Sequence, residues 1–383
     1  MPDRSLQPIK AKDAAPFPLD PVLIAAGANV WRRSLWRRVF GWKRHVGSVE
    51  AICRAVVEDC WNGKYFAGSA GHFGQFWTRD LAMCTPALMR LGHRERIVKS
   101  WTWGLERFAK AGRITTTIFG NRPRDVYAYA CDSLPMLLYG LAEADADLLV
   151  SRHRELLATE IERYVRLVYD PETGLARTDG YFSAPRDCMT GRSTVFTNTM
   201  IALLARLLEE RFTFLPNPLK GIDIASKMRE AYWTGTHFRD ALDNDLPSGD
   251  ANVWPFHFGV FDDDEMERSA HRTLDERGMT EPVPLRYFEK RLPERELVFP
   301  KFATPNYQGD TSWTQLGAVY LGRLKRLDQP AFLHRRAAMM KMIIRDSNFM
   351  EVYTPDGQPY KGRGTLYYCD EGMIWASMFL DLL

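Results

Sequence analysis

The chain has 383 residues, of which 45% are hydrophobic and 12% aromatic. That length is enough for a sizeable buried core. Lys and Arg total 51 against 48 for Asp and Glu, a formal net charge of +3. Because the charges nearly balance, composition gives no general case for nucleic acid, and we expect no nucleic-acid partner. With no Pro/Gly/Ser-rich linker to divide it, the chain is predicted to be one large domain, residues 47–383, after an N-terminal extension, residues 1–46.

Signals for location and cofactors are few. The start, Met1-Pro2-Asp3-Arg4-Ser5, has no apolar secretion segment, and no stretch approaches membrane-spanning length. The cysteines are scattered without CxxC or Cys/His metal spacing, at Cys53, Cys60, Cys84, Cys131, Cys188 and Cys369. We therefore expect reduced thiols, a cytoplasmic location, no metal and, without a Gly-rich phosphate loop, no nucleotide cofactor.

One basic cluster precedes the predicted domain. It reads Trp31-Arg32-Arg33-Ser34-Leu35-Trp36-Arg37-Arg38 and is followed by Trp42-Lys43-Arg44. Such a segment could dock on a membrane surface or an anionic partner. Alternatively, it is a peripheral helix whose Trp and Leu side chains face the protein while the Arg head groups stay in water. We favour the second interpretation.

Almost every long periodic segment predicts a helix. The twelve predicted helices are about Gly47–Trp61, Thr78–Leu91, His93–Ala111, Cys131–Ala142, Asp145–Val168, Thr194–Glu210, Leu219–Trp233, Trp254–Val260, Asp263–Arg277, Thr311–Leu327, Gln329–Arg345 and Tyr367–Leu383. Helices that are apolar on most sides alternate with helices that carry one charged face. This alternation indicates an all-α fold in which an inner ring of six helices is enclosed by an outer ring of six. An irregular bundle or a solenoid is the alternative, although no repeat of fixed period supports a solenoid.

Aromatic and polar residues precede each predicted inner helix. The candidates drawn from these junctions and from the closing helix are Trp77, Arg79, Asp80, Tyr129, Asp132, Arg186, Asn198, Asp250, Trp254, Gln308, Trp313, Glu351 and Trp375. In a closed ring, all six junctions would meet at one end. Aromatic faces pack on the C–H faces of sugars while carboxylate and guanidinium groups bind the hydroxyls, so we expect a carbohydrate ligand. For any single junction, helix capping by Asp or Thr is the alternative.

Three strings carry a family resemblance. They are Phe76-Trp77-Thr78-Arg79-Asp80-Leu81, then Tyr129-Ala130-Cys131-Asp132-Ser133-Leu134-Pro135, and the closing stretch from Phe349 to Gly362 followed by Trp375-Ala376-Ser377. In this order they resemble the inverting glycoside hydrolases built on an (α/α)6 toroid. That broad group includes amylo-α-glucosidase-like enzymes, glucosylglycerate hydrolases and neutral invertases. The resemblance extends from about Gly47 to Leu383, with a poor match between Phe261 and Tyr307.

The resemblance implies roles for individual residues. Asp132 matches the general acid, and Glu351 matches the general base that activates water. Trp77, Arg79 and Asp80 match residues that hold the sugar whose bond is cut. Asp370 and Glu371 form a rival carboxylate pair, and the assignment of Glu351 fails if Glu371 is the base.

The expected activity is that of an inverting, exo-acting glycosidase on a short or terminal glycoside. Such an enzyme needs an acid and a base ~6.5–9.5 Å apart so that water fits between them. Two alternatives stay open. One is a sugar epimerase or polysaccharide lyase on the same toroid, which would use His or Tyr to move protons. The other is a non-catalytic carbohydrate-binding toroid.

Overall fold

The computed structural model describes residues 21–383. Within them the chain forms fifteen helices and nine short strands. The helices are α1 (Pro21–Phe40), α2 (Val49–Asp59), α3 (Thr78–Arg90), α4 (Arg94–Ala111), α5 (Ser133–Glu143), α6 (Asp147–Arg152), α7 (Arg154–Val168), α8 (Val195–Glu210), α9 (Ile224–Tyr232), α10 (Trp254–His257), α11 (Asp264–Glu276), α12 (Val298–Ala303), α13 (Thr314–Leu327), α14 (Gln329–Asp346) and α15 (Ala376–Leu380). The strands are β1 (Phe76–Trp77), β2 (Thr117–Phe119), β3 (Arg122–Arg124), β4 (Tyr169–Asp170), β5 (Leu175–Ala176), β6 (Arg239–Ala241), β7 (Asn244–Pro247), β8 (Ser312–Trp313) and β9 (Val352–Tyr353). The protein is therefore predominantly helical, as predicted.

Six helices contact one another in a closed cycle. α3 contacts α5, α5 contacts α8, α8 contacts α10, α10 contacts α13, α13 contacts α15, and α15 returns to α3. Most residues of α3, α5, α8 and α13 are buried. These helices are surrounded by protein on nearly all sides, which agrees with their mostly apolar sequences.

A second set of helices lies against the cycle and buries one face each. α2 contacts α15, α4 contacts α3, α7 contacts α5, α9 contacts α8, and α14 contacts α13. In α4 the large buried side chains are Ile97, Trp101, Leu105 and Phe108. Their spacing of three or four residues forms one stripe, so packing against α3 accounts for the two-faced sequence.

Two predicted helices differ most from the observed ones. Residues 145–168 form α6 and α7 with a break at His153. The observed final helix is shorter than the predicted one and spans only Ala376–Leu380. Before this helix, the backbone forms β-bridges: Met350 pairs with Glu371, and Lys361 pairs with Tyr368. Tyr367 is therefore in a loop.

Short strands fix the junctions in front of two helices of the cycle. β1 pairs with β2, which positions the start of α3 beside residues 115–118. β8 pairs with β9, with Trp313 opposite Val352. The amide of Thr314, the first residue of α13, also donates to the carbonyl oxygen of Glu351 at 3.2 Å. Glu351 is thus held at the start of α13, although it is far from that helix in sequence.

The orientation predicted for the basic cluster is wrong. Trp36 is 63% exposed and Arg37 is only 3% exposed. The Arg37 guanidinium enters the protein, where it forms ion pairs with Asp370, at 2.6 Å, and with Glu371. Two buried carboxylates require a cation, and that requirement outweighs the ordinary preference of Trp for the interior. The part of the predicted N-terminal extension before Pro21, including the predicted leaderless start, lies outside the described residues.

No helix among residues 21–383 is both long enough and apolar enough to span a bilayer.

Candidate active site

Glu351 precedes β9 and is 1% exposed. Its carboxylate accepts three hydrogen bonds: from the Tyr307 hydroxyl, from the Tyr367 hydroxyl at 2.6 Å, and from the backbone amide of Asp370 at 2.9 Å. Only one donor is a backbone amide, so Glu351 is more than the cap of a turn. Two tyrosines from different parts of the chain fix its orientation.

The pKa of Glu351 is raised to about 7. Burial is the main cause and the negative charge of Asp370 is the second, whereas the Asp370 amide and the two tyrosine hydroxyls lower the pKa. A carboxylate with this pKa exchanges protons near neutral pH. That property suits a general base.

Asp132 lies at the start of α5 and has no exposed surface. Its side chain makes no capping hydrogen bond to the helix. Instead, Oδ2 accepts from Nε of Arg79, in the first turn of α3, at 2.5 Å, and Oδ1 is buried without a partner. Burial raises the pKa of Asp132, while the Arg79 guanidinium lowers it. Helix capping therefore does not explain Asp132, and one of its oxygens has no protein donor.

Asp80 joins the same cluster from α3. Oδ1 accepts from the indole nitrogen of Trp375 at 2.7 Å. Burial raises the pKa of Asp80 to about 6, against the lowering effect of Arg79 and the indole. The Trp375 ring lies 6.3 Å from the Trp313 ring. The indole nitrogen of Trp77 is buried without a partner.

The structure adds Asp187, which sequence reasoning did not select. Asp187 is half-buried, and its Oδ1 accepts from Nε2 of Gln308 at 3.2 Å. Burial raises the pKa of Asp187, and the charge of Arg79 lowers it. The available signal was its place directly after Arg186, in the junction in front of α8 from which only Arg186 and Asn198 were selected.

Asp187 and Glu351 are connected through neighbouring residues. Tyr307 donates to Glu351 and the next residue, Gln308, donates to Asp187. Burial raises the pKa of the Cys188 thiol well above its usual value, and the charges of both Asp187 and Glu351 add to this. One segment of chain, Tyr307-Gln308, therefore positions both Asp187 and Glu351, whose negative charges raise the pKa of the same thiol.

Arg186 and Asp250 form a second ionic group. Nε of Arg186 donates to Asp250 at 2.8 Å, and the same guanidinium binds Asp240 of β6. It lies over the ring of Phe288, 4.9 Å from the centroid. The Tyr287 ring lies 5.7 Å from Trp313, so this group borders the Trp313 side of the cluster.

Three predicted site residues have other surroundings. Asn198 uses its amide group for Ser193, Thr194, Tyr232 and the backbone amide of Ala176. The Trp254 ring packs on Phe196, His257 and Phe258 within the core. Tyr129 is half-buried, and burial, followed by the charges of Glu160 and Asp125, raises its pKa. None of these contacts reaches Glu351, Tyr307 or Tyr367. The predicted role of the three residues in binding stays a prediction.

The rival pair occupies a different environment. Asp370 accepts from Arg37 at 2.6 Å, from the Ser69 hydroxyl, and from the amides of His72, Phe73 and Glu371. The charges of His72 and Arg37, followed by the Ser69 hydroxyl and the His72 amide, lower the pKa of Asp370 despite burial. Glu371 pairs with Arg37 and lines a cavity of about 480 Å³ beside α1. Across residues 21–383, no three His, Cys, Asp or Glu side chains are grouped so as to hold a metal ion.

Comparisons with known proteins show a fold shared with glycosidases. No family model matches the chain and no curated protein matches it. Among solved structures, it is similar to a rhamnosidase from Klebsiella oxytoca with rhamnose bound, with a TM-score of 0.62 at 10% identity over 87% of this chain. The chain spans 62% of the length of that rhamnosidase.

Two further structures match over nearly their full length. A single-substitution variant of a glycosidase, in complex with glucose, has a TM-score of 0.59 at 13% identity, with 95% of this chain and 98% of that one covered. The GH63 mannosylglycerate hydrolase from Thermus thermophilus, with Tris and D-glycerate, has a TM-score of 0.57 at 13% identity, with 87% and 99% covered. The chain thus has the fold of the (α/α)6-toroid glycoside hydrolases, which confirms the resemblance that the sequence strings carry.

Proposed function

We propose that this protein is an inverting, exo-acting glycoside hydrolase in which Glu351 is the general base. The observation that carries the proposal is the Glu351 carboxylate, buried, held by Tyr307 and Tyr367, and with a pKa of about 7. Such a group can take a proton from water as the water attacks a sugar. The closed cycle of six helices, with further helices outside it, supports an arrangement of six inner and six outer helices.

The proton donor is one of two carboxylates. The sequence resemblance implies Asp132, which contacts Arg79 and has one oxygen free of protein donors. Asp187 is the second candidate, and its partial exposure favours it, because a general acid must reach the glycosidic oxygen. Burial raises the pKa of both groups, as a proton donor requires.

The substrate is proposed to be a short or terminal glycoside. The structural neighbours named above are a rhamnosidase with rhamnose bound, a glycosidase variant with glucose, and a mannosylglycerate hydrolase with Tris and D-glycerate. The indoles of Trp313 and Trp375 supply apolar faces for a sugar ring, and Asp80 and Arg79 supply polar groups beside them. The long segments 113–125 and 277–301 are proposed to close one side of the pocket and give exo action.

The alternative of an epimerase or lyase rests on the two tyrosines at Glu351. Burial is the first cause that raises the pKa of Tyr307 and of Tyr367 well above 10, and the Glu351 charge adds to it. Both hydroxyls therefore stay protonated at neutral pH and act as donors to Glu351. A tyrosinate base is disfavoured here, which supports hydrolysis over proton abstraction from a sugar carbon.

The activity test is a panel of natural disaccharides and glycosyl-acids, read by released monosaccharide. We expect turnover of at least one glycoside, with proton NMR showing first the anomer opposite to that of the substrate. Retained anomeric configuration would contradict inversion. Product that is an isomer or an unsaturated sugar would establish the epimerase or lyase, and binding without turnover would establish a carbohydrate-binding protein.

The donor test compares Asp132→Asn with Asp187→Asn. Loss of the general acid lowers the rate on a natural glycoside by about 10²–10⁴-fold. On a glycosyl fluoride, whose leaving group needs no proton, the acid variant retains most of its rate. A residue that only binds the sugar loses both activities. Equal losses of both activities in the two variants would reject both carboxylates as the acid.

A further inference from the structure

Helix α1 turns its apolar side toward solvent. Ile24, Trp31 and Val39 are exposed large apolar side chains, with Val39 at 72%. Together with Ala28 and Leu35 they recur every three or four residues, so they share one face along the 20-residue helix. Trp36 and Phe40 continue the apolar surface on one flank, with ring centroids 4.2 Å apart.

The opposite side of α1 attaches the helix to the protein through polar side chains and through Val30, which packs against the core. Ser34 accepts a hydrogen bond from the Tyr368 amide at 3.0 Å, and Arg33 donates to the Ala70 carbonyl oxygen at 3.1 Å. Arg37 forms the ion pairs with Asp370 and Glu371 described above. A surface helix of a globular protein normally does the reverse and buries its apolar face. The outward apolar face is therefore available to another surface.

The basic residues around α1 indicate which kind of surface its apolar face would contact. No Asp or Glu occurs between Pro21 and Val49, whereas six basic residues do: Arg32, Arg33, Arg37, Arg38, Lys43 and Arg44. Arg32 and Arg38 are exposed and flank the apolar stripe on its two sides. Arg37 and Lys43 are ion-paired with carboxylates from other parts of the chain, so the excess positive charge on this side rests on Arg32, Arg33, Arg38 and Arg44. A second copy of α1 would bring the same charges together and be repelled, whereas an anionic surface would be attracted.

The cavity beside α1 has room for an anionic group. Its volume is about 480 Å³, and its lining includes Arg32, Arg33, Trp36 and Phe40. Two carboxylates also line it, and each is paired with a cation: Asp59 with Lys43, and Glu371 with Arg37. Cations there can meet a phosphate while the aromatic rings meet acyl chains. A phospholipid has both chemistries in one molecule.

We propose that α1 and the adjoining Trp42–Arg44 segment dock the protein on the surface of an anionic lipid bilayer. The helix lies parallel to the surface, with Ile24, Trp31 and Val39 at the acyl boundary and the exposed basic side chains at the head groups. The helix is about 30 Å long, but it is not apolar enough to span a bilayer. Docking is separate from hydrolysis, so its test does not depend on the proposed function.

The experiment is sedimentation of the full chain with vesicles of phosphatidylcholine alone or with phosphatidylglycerol. We expect binding to the anionic vesicles, weaker binding to the neutral ones, and loss of binding as salt is raised. Trp31→Gln with Val39→Gln should lower the affinity at least about tenfold, and Arg32→Glu with Arg38→Glu should lower it similarly. The matched controls are Leu148→Gln with Leu333→Gln, and Arg152→Glu with Arg154→Glu, all exposed elsewhere.

Several outcomes would overturn docking on lipid. One is a full chain that stays in the supernatant with anionic vesicles at low salt. If a chain beginning at Pro21 binds and the full chain does not, residues 1–20 are the occupant. A concentration-dependent dimer that the Trp31 and Val39 substitutions abolish would assign the face to a second copy. A shift of tryptophan fluorescence with inorganic phosphate alone, but not with vesicles, would assign the cavity to a free anion.

Discussion

Glu351 and Asp370 are two buried carboxylates on paired segments of backbone, and their pKa values are shifted in opposite directions. Their exposures are 1% and 0%, and the amide of Asp370 donates to Glu351 at 2.9 Å. Yet the pKa of Glu351 is raised to about 7 and that of Asp370 is lowered. The difference lies in the neighbouring groups: His72 and the Arg37 guanidinium lower the pKa of Asp370, whereas Glu351 has only neutral hydroxyls and one amide. Burial alone therefore does not identify a catalytic carboxylate.

The largest effect is expected for Glu351→Gln. Removing a general base lowers the rate by about 10²–10⁴-fold. The folded state raises the pKa of Glu351, so this carboxyl group favours folding at low pH and its contribution is lost as pH rises through about 7. At pH 8 the substitution should therefore leave the free energy of unfolding unchanged or higher. Steady-state rates and urea unfolding of the same samples measure both. Near wild-type activity would remove Glu351 from the mechanism.

Asp370→Asn should affect stability more than Glu351→Gln does. It leaves the buried Arg37 guanidinium with fewer negative partners, and breaking a buried ion pair costs about 3–5 kcal/mol. Because the folded state lowers the pKa of Asp370, its stabilising contribution is present above the unfolded pKa and is lost as pH falls through the lower folded value. Urea unfolding at pH 7 and pH 3 gives both values. A stable Asp370→Asn variant would show that Arg37 does not need this partner.

A smaller effect, on pH dependence, is expected for Tyr367→Phe. The lost hydroxyl stabilised the ionised carboxylate, so the pKa of Glu351 should rise by about one to two units, given about 1.5–3 kcal/mol for a hydrogen bond to a charge. Activity requires the ionised base, so the acidic limb of the rate profile near pH 7 should move upward. Tyr320→Phe is the matched control, since the Tyr320 hydroxyl is buried without a partner. An unmoved limb would mean that Tyr367 does not tune Glu351.

The smallest effect is expected for Glu371→Gln. Glu371 lies on the α1 side of the paired backbone and binds Arg37, so the hydrolytic rate should stay within about twofold of wild type. Its pKa is also raised, to about 7, which makes it the sharpest comparison for Glu351. A loss as large as that of Glu351→Gln would make Glu371 the base.

The helical fold and several site residues could be predicted from sequence, because both depend on local patterns. The period of α4 and the polar residues ahead of α3, α5 and α13 are visible in single segments. Arg79, Asp80 and Asp132 come together because they stand at the starts of two helices in contact, α3 and α5. The resemblance in the strings around them gave the fold that the structural neighbours share.

What sequence could not predict depends on contacts between distant residues. Arg37 is buried because Asp370 lies beside it, 333 positions later in the chain. Tyr367 binds Glu351 only because Tyr368 and Glu371 form isolated β-bridges instead of being part of a helix. The importance of Asp187 depends on Gln308, 121 positions away. None of these pairings leaves a periodic signal, so local patterns favoured a basic helix with its Arg groups in water.

The Arg37 contact bears on how the protein can be shortened. A truncation at Gly47 would follow the predicted boundary of the N-terminal extension and keep every candidate catalytic group. It would also delete the guanidinium that binds Asp370 and Glu371, leaving these two carboxylates without that counter-ion behind the Glu351 loop. A minimal version for crystallisation or engineering should therefore begin before α1.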